Sequence, residues 1–321
     1  MSTVPPPPAP TFSQLFSAIT ANVASVVHGK RAAVDLAVVC LLSEGHLLIE
    51  DVPGVGKTSL AKALAASIDC TWKRVQFTPD LLPTDLVGVS VYRRSADAFE
   101  FQPGPLFANI VLADEINRAS PKTQSALLEA MEERQITSDG VTHRLPDPFM
   151  VAATQNPVEQ EGTYRLPESQ LDRFLMRLSL GYPGRDAELE ILESNGANDT
   201  LRNLRPVVSA AEIVRMCKAV RGVHLAPALK GYLVDLAETS RKHPGLVLGL
   251  SPRATLQLAR ASRSQAASSG RDYAIPDDVK AVAVPVLAHR IVLRPDAASR
   301  GLTAEAAVGE ILAAVPVPAG R

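Results

Sequence analysis

Asp51-Val-Pro-Gly-Val-Gly-Lys-Thr58 is the stretch of this chain that decides its fold. A short apolar segment at residues 46–49 runs into it, and a helical pattern begins at Ser59 directly after it. Between a strand and a helix, successive backbone N–H groups and the helix N-terminus converge on an anion. The stretch therefore predicts a phosphate-binding loop, although a Gly-Pro turn that opens an ordinary helix would have a similar sequence.

The side chains of this loop indicate which anion it binds. Gly54 and Gly56 have no Cβ, so the backbone can wrap closely around a phosphate chain. Lys57 can reach the β and γ phosphates, and Thr58 can offer its hydroxyl to Mg²⁺. One position departs from the pattern G-x-x-x-x-G-K-[ST], because Asp51 stands where the pattern has its first glycine. We predict that ATP with Mg²⁺ binds here, with contacts from Pro53, Gly54, Val55, Gly56, Lys57, Thr58 and Ser59.

A second motif, Ile110-Val-Leu-Ala-Asp-Glu115, is an apolar strand that ends in two carboxylates. Ligands of open α/β folds bind at the carboxyl edge of the sheet, so Asp114 and Glu115 are expected beside the loop. This Walker B pattern predicts that Asp114 holds Mg²⁺ through its waters, while Glu115 accepts the proton of the attacking water or orients that water. Taken alone, an acidic pair after a strand is also typical of a helix cap or a solvated turn.

The rest of the chain divides into two parts by its pattern of apolar residues. Short apolar segments alternate with helical ones over residues 12–182, which predicts an α/β core with a parallel sheet flanked by helices. Helical segments dominate residues 183–321, which predicts a helical lid domain. Residues 1–11 form a Pro-rich tail that is expected to be disordered. Two β-hairpins are also expected, at residues 88–101 and 134–145.

Composition limits the classes of partner. The chain has 33 basic and 34 acidic residues among 321, and this net charge of -1 provides no general attraction for nucleic acid, although a local basic patch stays open. Its three cysteines are widely spaced, which argues against a disulfide framework and a thiolate metal site. No apolar stretch reaches the roughly 20 residues that span a bilayer, and no signal peptide is recognisable. We expect a cytoplasmic protein without membrane insertion.

Five motifs, in order along the chain, resemble those of the AAA+ ATPases and, within them, of the MoxR family. They are D-V-P-G-V-G-K-T at Asp51, L-A-D-E-I-N-R-A at Leu112, T-Q-N-P at Thr154, L-P-E-S-Q-L-D-R-F at Leu166 and L-S-P-R-A at Leu250. The resemblance covers the chain except its Pro-rich tail and its last few tens of residues. It implies a P-loop AAA+ core followed by a C-terminal all-α lid, which agrees with the division after residue 182.

The resemblance also implies roles for single residues. Asn156, in T-Q-N-P, matches the sensor 1 residue that helps to position the attacking water. Arg173, in L-D-R-F, matches the arginine finger that acts on the nucleotide of a neighbouring subunit, with Arg118 and Arg165 as lower-ranked alternatives. Arg253, in S-P-R-A, matches sensor 2, which is expected to reach the γ-phosphate in cis. Without the resemblance, an Asn-Pro turn and surface salt bridges explain these residues as well.

For the whole protein, the resemblance implies a ring, a hexamer, that hydrolyses ATP to remodel or mature a client protein, including metal or cofactor insertion. A partner that carries a von Willebrand factor A domain is expected. The two hairpins are expected to line the central pore, with Tyr92, Phe99 and Phe101 as gripping aromatic residues. His28, followed by Gly29, resembles the turn on the adenine side of the nucleotide.

Two other functions stay open at this point. A nucleic-acid-associated AAA+ motor shares the same core, but the near-neutral charge, the single Trp72 and the lack of a recognisable DNA-binding module argue against it, and no nucleic acid is expected. A nucleotide-gated scaffold with little hydrolysis would also need the loop. Glu115 argues against a scaffold, because a carboxylate beside the attacking water is a feature of catalysis.

Overall fold

The computed structural model describes residues 10–95, 97–157, 163–193 and 197–318 of the chain. The helices in these ranges are α1 (Phe12–Ala24), α2 (Arg31–Leu42), α3 (Lys57–Ala66), α4 (Pro83–Val87), α5 (Pro121–Glu133), α6 (Glu168–Leu171), α7 (Arg185–Glu193), α8 (Ala197–Asn203), α9 (Ala210–Gly222), α10 (Pro227–Lys242), α11 (Pro252–Ser268), α12 (Pro276–Leu287), α13 (Pro295–Ser299) and α14 (Ala304–Ala314). The strands are β1 (Leu47–Glu50), β2 (Ile68–Asp69), β3 (Trp72–Gln76), β4 (Gly88–Arg93), β5 (Ala98–Pro103), β6 (Ile110–Asp114), β7 (Gln135–Ser138), β8 (Val141–Arg144), β9 (Met150–Gln155), β10 (Met176–Leu178), β11 (Val208–Ser209), β12 (Leu246–Leu248) and β13 (Val292–Leu293). Most of the predicted tail, residues 1–9, lies outside the described residues, so its disorder stays a prediction.

The core is a five-stranded parallel sheet with the strand order β10-β1-β9-β6-β3. Each apolar segment expected as a strand is present, displaced by a few residues at most. All five strands end at the same edge, which brings Gln76, Asp114 and Gln155 close to the loop that follows β1. The predicted α/β architecture is confirmed.

Alternate residues of the central strands enter two separate apolar layers. On β6, Ile110 and Leu112 pack into the layer that contains α1, α2 and α3, whereas Val111 and Ala113 pack against α5. This follows from the period of two in a β-strand, which sends successive side chains to opposite faces. Because both faces are covered, the strand is apolar throughout and polar only at its end, where Asp114 and Glu115 follow.

Helices dominate the chain beyond residue 183, and several begin at the caps that the sequence indicates. Ser209 forms a capping box with Glu212, and the hydroxyl of Ser251 accepts a hydrogen bond from the backbone N–H of Ala254. This described part of the chain also contains three short strands, β11, β12 and β13. β11 pairs with β2 of the core, and β12 pairs with β13. The apolar layer of α1 to α3 continues into α9 to α12, so the two predicted domains share a core. The boundary at residue 182 stays a prediction.

Both expected hairpins are present. The β4–β5 hairpin runs to Pro103, two residues beyond its expected end, and the β7–β8 hairpin turns at Asp139 and Gly140, which both have positive φ. The ring of Phe101 stacks on His143 with the centroids 4.1 Å apart, so the two hairpins contact each other. Among the described residues, no helix is both long and apolar enough to cross a membrane.

A buried arginine attaches the lid to the core. The side chain of Arg290, just after α12, is 2% exposed, and its Nε donates to Oδ1 of Asp172 at 2.7 Å. Its other nitrogens donate to backbone oxygens, including those of Asp172 at 3.1 Å and Leu175 at 3.2 Å. Burial lowers the pKa of Arg290 to about 10, which leaves the guanidinium charged at neutral pH. The lid thereby fixes the segment that carries Arg173.

We expect Arg290→Ala to lower the free energy of unfolding by about 3–5 kcal/mol, because it leaves Asp172 and buried carbonyl groups without their donor. Urea unfolding followed by circular dichroism measures the loss. Arg300→Ala is the matched control: the Arg300 side chain is 73% exposed and pairs with Asp296 in the helix that directly precedes it. That control should lose less than about 0.5 kcal/mol. Equal losses in the two variants would show that Arg290 has no anchoring role.

Candidate nucleotide site

A cleft of about 350 Å³ opens at the carboxyl edge of the sheet. It brings together the predicted loop, the acidic pair and Asn156 with four residues to which the sequence motifs assign no role, Arg74, Gln76, Thr154 and Gln155. The full lining is Pro53, Gly54, Gly56, Lys57, Thr58, Ser59, Arg74, Gln76, Asp114, Glu115, Thr154, Gln155 and Asn156. Residues far apart in sequence therefore meet where parallel strands end.

The loop has the backbone of an anion-binding turn. Gly54 has a φ of +84° and Gly56 a φ of +95°, a region that L-residues with a side chain rarely occupy. Gly56 is the N-cap of α3, so the first N–H groups of the helix point at the cleft. Nζ of Lys57 donates to backbone oxygens of the loop itself, those of Asp51 and Val52. The Lys57 side chain thus holds the first residues of the loop through hydrogen bonds to their backbone oxygens.

Asp114 lies at the bottom of the cleft and is 3% exposed. Its Oδ1 accepts from the hydroxyls of Thr58 at 3.1 Å and Thr154 at 3.2 Å, and its Oδ2 accepts from Nε of Arg74 at 2.7 Å. A carboxylate beside a threonine hydroxyl is the kind of hard oxygen donor set that Mg²⁺ prefers. No group of three or more His, Cys, Asp or Glu side chains that could hold a metal occurs in the described part of the chain.

Glu115 has a backbone conformation that is unusual for its residue type. Its φ of +57° and ψ of +50° lie in the left-handed region. The conformation is held by the N–H of Glu115, which donates to the hydroxyl of Thr154 at 3.0 Å, and such strain is typical of functional sites. Oε2 of Glu115 accepts from Nη1 of Arg118 at 3.0 Å. Arg118 thus lies beside the cleft of its own chain.

Asn156 follows β9, the strand next to β6 in the sheet. The residue is 5% exposed, and its backbone oxygen accepts from Nδ2 of Asn117 at 3.2 Å. The amide group lines the same cleft as Glu115. The position agrees with the one expected for a group that orients water without adding charge.

A smaller cavity of about 160 Å³ adjoins the loop on its other side. It shares Gly54, Gly56 and Ser59 with the cleft, and its remaining lining is mostly apolar, with Val26, Val27, His28, Lys30, Val55, Pro183 and Ile191. Nδ1 of His28 lies 2.9 Å from Glu190, while its buried Nε2 has no hydrogen-bond partner among the described residues. An apolar slot with one unused polar atom fits a purine base.

The two arginines assigned to the γ-phosphate lie outside the cleft lining. Nε of Arg173 lies 3.1 Å from one oxygen of Glu132, and Nη1 of Arg253 lies 2.8 Å from the other. Arg253 also approaches Asp172 at 3.4 Å. The start of α11 is held against α5 by these ion pairs, and the expectation that Arg253 reaches the γ-phosphate in cis stays a prediction. Arg165 is exposed.

Asp51, the departure from the loop motif, has a role of its own. Its Oδ2 accepts from Ser179 Oγ at 2.8 Å and from the backbone N–H groups of Leu180 at 2.7 Å and Gly181 at 2.6 Å. Its Oδ1 accepts from the N–H of Val52 at 2.8 Å. Burial alone would raise the pKa of Asp51, but these hydrogen bonds lower it below its ordinary value. The carboxylate ties the phosphate loop to the segment that leads into the lid.

Known proteins match this chain over both the core and the lid. The model of the ATPase family associated with various cellular activities matches residues 46–176, and an AAA lid domain matches residues 238–311. The chain is 50% identical to the uncharacterized protein YeaC of Bacillus subtilis, over 92% of each chain. It is 41% identical to the chaperone MoxR1 of Mycobacterium tuberculosis, over 92% of this chain and 81% of that protein. The crystal structure of a "putative ATPase" from Cytophaga hutchinsonii superposes with a TM-score of 0.87 at 36% identity, over 96% of each chain.

We expect Asp51→Asn to lower the free energy of unfolding by about 1–3 kcal/mol at pH 7, because an amide leaves one buried N–H group or hydroxyl without its acceptor. The folded-state pKa of Asp51 is depressed, so its contribution is present above the ordinary pKa near 4 and is lost as the pH falls through the folded-state value. The difference between wild type and variant should therefore shrink in acid.

Urea unfolding of both proteins between pH 3 and pH 7 measures this difference. Ser179→Ala is the control, because it removes one donor to Asp51 and keeps the charge. It should lose less stability and keep the pH dependence. A gap between wild type and Asp51→Asn that is independent of pH would contradict the role of the carboxylate charge.

Proposed function

Because the chain belongs to the MoxR family of AAA+ ATPases, we propose that it forms a ring, a hexamer, that uses Mg²⁺-dependent ATP hydrolysis to remodel a client protein. The ATPase activity itself follows from the family. The ring, the metal and the client are the proposed parts. The observation that carries the ring is the position of Arg173 and Arg253, which lie together on Glu132 and outside the nucleotide cleft of their own chain.

In the cleft, each proposed role follows from the chemistry of the side chain. Lys57 binds the β and γ phosphates from the loop. Thr58 and Asp114 hold Mg²⁺, which neutralises charge that develops on the phosphate oxygens. Glu115 accepts the proton of the attacking water, and the amide of Asn156 orients that water. Arg118, 3.0 Å from Glu115, orients the carboxylate within the same subunit.

The base of the nucleotide is proposed to occupy the cavity beside the loop. Its apolar lining, which includes Val26 and Val27, packs against a flat ring. His28 also lines the cavity, and its buried Nε2, which has no hydrogen-bond partner among the described residues, is proposed to bind the ring edge when the base enters. This proposal combines the cleft and the cavity into one ATP site.

Arg173 and Arg253 are proposed to complete the cleft of the next subunit. Their side chains are 30% and 42% exposed, which suits contact with a partner. A head-to-tail interface presents one face of a subunit to a different face of its neighbour, and such contacts close into rings. A planar guanidinium beside the γ-phosphate stabilises the negative charge of the transition state. We therefore propose that Arg253, the residue that matches sensor 2, acts in trans together with Arg173.

The hairpins are proposed to contact the client in the central pore. Phe99 is 75% exposed and Tyr92 is 47% exposed, and the two rings form a cross-strand pair with centroids 5.4 Å apart. Phe101, in contrast, stacks on His143 and joins the two hairpins. We therefore assign gripping to Tyr92 and Phe99, and a connecting role to Phe101.

The proposed client work is chaperone-like, a role supported by the name of the similar protein MoxR1. We further propose maturation of client enzymes, including metal or cofactor insertion, together with a partner that carries a von Willebrand factor A domain, in the cytoplasm. Nucleic acid is not a proposed partner. ATP turnover that rises with added DNA and falls steeply with salt would contradict this.

A mixing experiment tests the action in trans. Lys57→Ala should not bind ATP, and Arg173→Ala should bind ATP but hydrolyse it at least about 100-fold more slowly, because the finger contributes only in the transition state. In an equimolar mixture, Arg173→Ala subunits supply intact clefts and Lys57→Ala subunits supply intact fingers. With random assembly, the two meet at about a quarter of the interfaces of a head-to-tail ring. Measured ATP turnover should recover by a corresponding fraction.

The control mixture combines Lys57→Ala with Glu115→Gln. Both variants have a defective cleft, so no interface can be complete and turnover should stay at the level of the separate proteins. If the first mixture shows no recovery while both variants assemble by light scattering, Arg173 does not act in trans. Full activity of Arg173→Ala alone would place the finger elsewhere.

Glu115→Gln should bind ATP normally and hydrolyse it at least about 100-fold more slowly, because an amide cannot accept the proton of water. This variant should stall with its client bound. Affinity isolation in the presence of Mg²⁺-ATP, compared with Lys57→Ala, measures retention of client proteins. Turnover equal to wild type would remove Glu115 from catalysis, and identical sets of retained proteins would contradict an ATP-dependent grip.

A further inference from the structure

Arg74 is a second cation of the cleft that the loop motif does not include. It lies on β3, the strand beside β6, and its register partner there is Leu112. Nε of Arg74 donates to Oδ2 of Asp114 at 2.7 Å, and Nη2 donates to Oε1 of Gln76 at 3.1 Å. The Arg74 side chain is 45% exposed, whereas that of Asp114 is 4% exposed. The guanidinium therefore lies between a buried carboxylate and the open cleft.

Both oxygens of Asp114 accept hydrogen bonds from the protein. Oδ1 accepts from Thr58 and Thr154, and Oδ2 accepts from Arg74. All three donors line the cleft, but the two threonines are neutral, whereas Arg74 carries a full positive charge. Arg74 is therefore the donor that repels a divalent cation approaching this carboxylate.

We infer that Arg74 and the divalent cation compete for the carboxylate of Asp114, and that Arg74 turns to the nucleotide phosphates when the cation takes its place. The inference rests on the proposed role of Asp114 in holding Mg²⁺. Arg74 would neutralise the acidic end of the cleft before the metal binds. After the metal binds, Arg74 would contribute a second positive charge beside Lys57.

Electrostatics gives a reason for such an exchange. Asp114 and Glu115 are adjacent at the end of β6, and two unpaired carboxylates there would repel the polyanionic phosphates of ATP. Arg74 screens Asp114, as Arg118 does Glu115. An arginine suits the exchange because its fork can keep one contact, to Gln76, while another nitrogen changes partner. A permanent structural ion pair would show no competition with a metal.

The direct test is binding of Mn²⁺ to the purified full chain without nucleotide, followed by electron paramagnetic resonance. Arg74→Gln should bind Mn²⁺ at least about 10-fold more tightly than wild type, because the competing charge beside Asp114 is gone. Lys73→Gln is the matched control. Lys73 is the neighbouring residue on β3, is exposed, has the same charge and does not line the cleft, so its replacement should change the affinity less than about 3-fold. Equal affinities in Arg74→Gln and wild type would overturn the inference.

A second test does not depend on the folding of Arg74→Gln alone. ATP affinity is measured in EDTA for Asp114→Asn and for the double variant Arg74→Gln/Asp114→Asn, in which no buried carboxylate lacks its partner. Asp114→Asn should bind metal-free ATP more tightly than wild type, since Arg74 no longer has an anionic partner there. The double variant should lose at least about 10-fold of that affinity. Equal affinity of the two variants would show that Arg74 does not turn to the phosphates.

These outcomes separate the inference from the proposed function. If Lys57→Ala binds ATP as tightly as wild type, the nucleotide site itself is wrongly assigned. If Lys57→Ala loses ATP while Arg74→Gln and wild type bind Mn²⁺ equally, the site stands and the competition at Asp114 is rejected.

Discussion

The buried carboxylate of Asp114 is the interaction on which the rest of the site depends. Its two oxygens accept from Thr58 at the start of α3, from Thr154 at the end of β9 and from Arg74 on β3. One side chain at the end of β6 thereby connects the phosphate loop with the strands on both sides of β6. A carboxylate this buried requires such partners, because the desolvation of its charge must be offset by hydrogen bonds.

A second carboxylate, Asp51, joins the opposite end of the loop to the lid. Its carboxylate accepts hydrogen bonds from the backbone N–H groups of Leu180 and Gly181, directly before the lid helices begin. The loop is therefore held between two acids, one facing the sheet and one facing the lid. Movement of the loop on nucleotide binding would change the contacts at Asp51, which gives the lid a physical connection to the state of the site.

Local sequence patterns predicted the parts of the fold that depend on neighbouring residues. The loop, the strand that ends in two acids and the hairpin at residues 134–145 each need only a few adjacent side chains. Their relation in space followed from one rule, that parallel strands end at a common edge. The cleft could thus be anticipated from motifs alone.

Long-range polar pairs could not be anticipated in this way. The pairing of Arg74 with Asp114 joins residues 40 positions apart, and that of Arg290 with Asp172 joins residues 118 positions apart. The sequence around an arginine on a strand or after a helix does not indicate which acidic residue it pairs with. Asp51 was visible as a deviation from a motif, but the three donors to its Oδ2 lie 128 to 130 positions away, at Ser179, Leu180 and Gly181. The position of Arg253 followed from the same kind of contact.

The distribution of charge outside the cleft explains why Arg173 and Arg253 suit a neighbouring phosphate. Three arginines, Arg173, Arg253 and Arg290, share two acids, Glu132 and Asp172. Arg290 is buried and takes the shortest contact to Asp172, which leaves Glu132 as the main acid for the other two. These ion pairs hold both guanidinium groups at the surface, where an anionic group such as the γ-phosphate, which carries more charge than one carboxylate, can replace Glu132 as their partner. The buried Arg290 supplies the fixed base on which they are held.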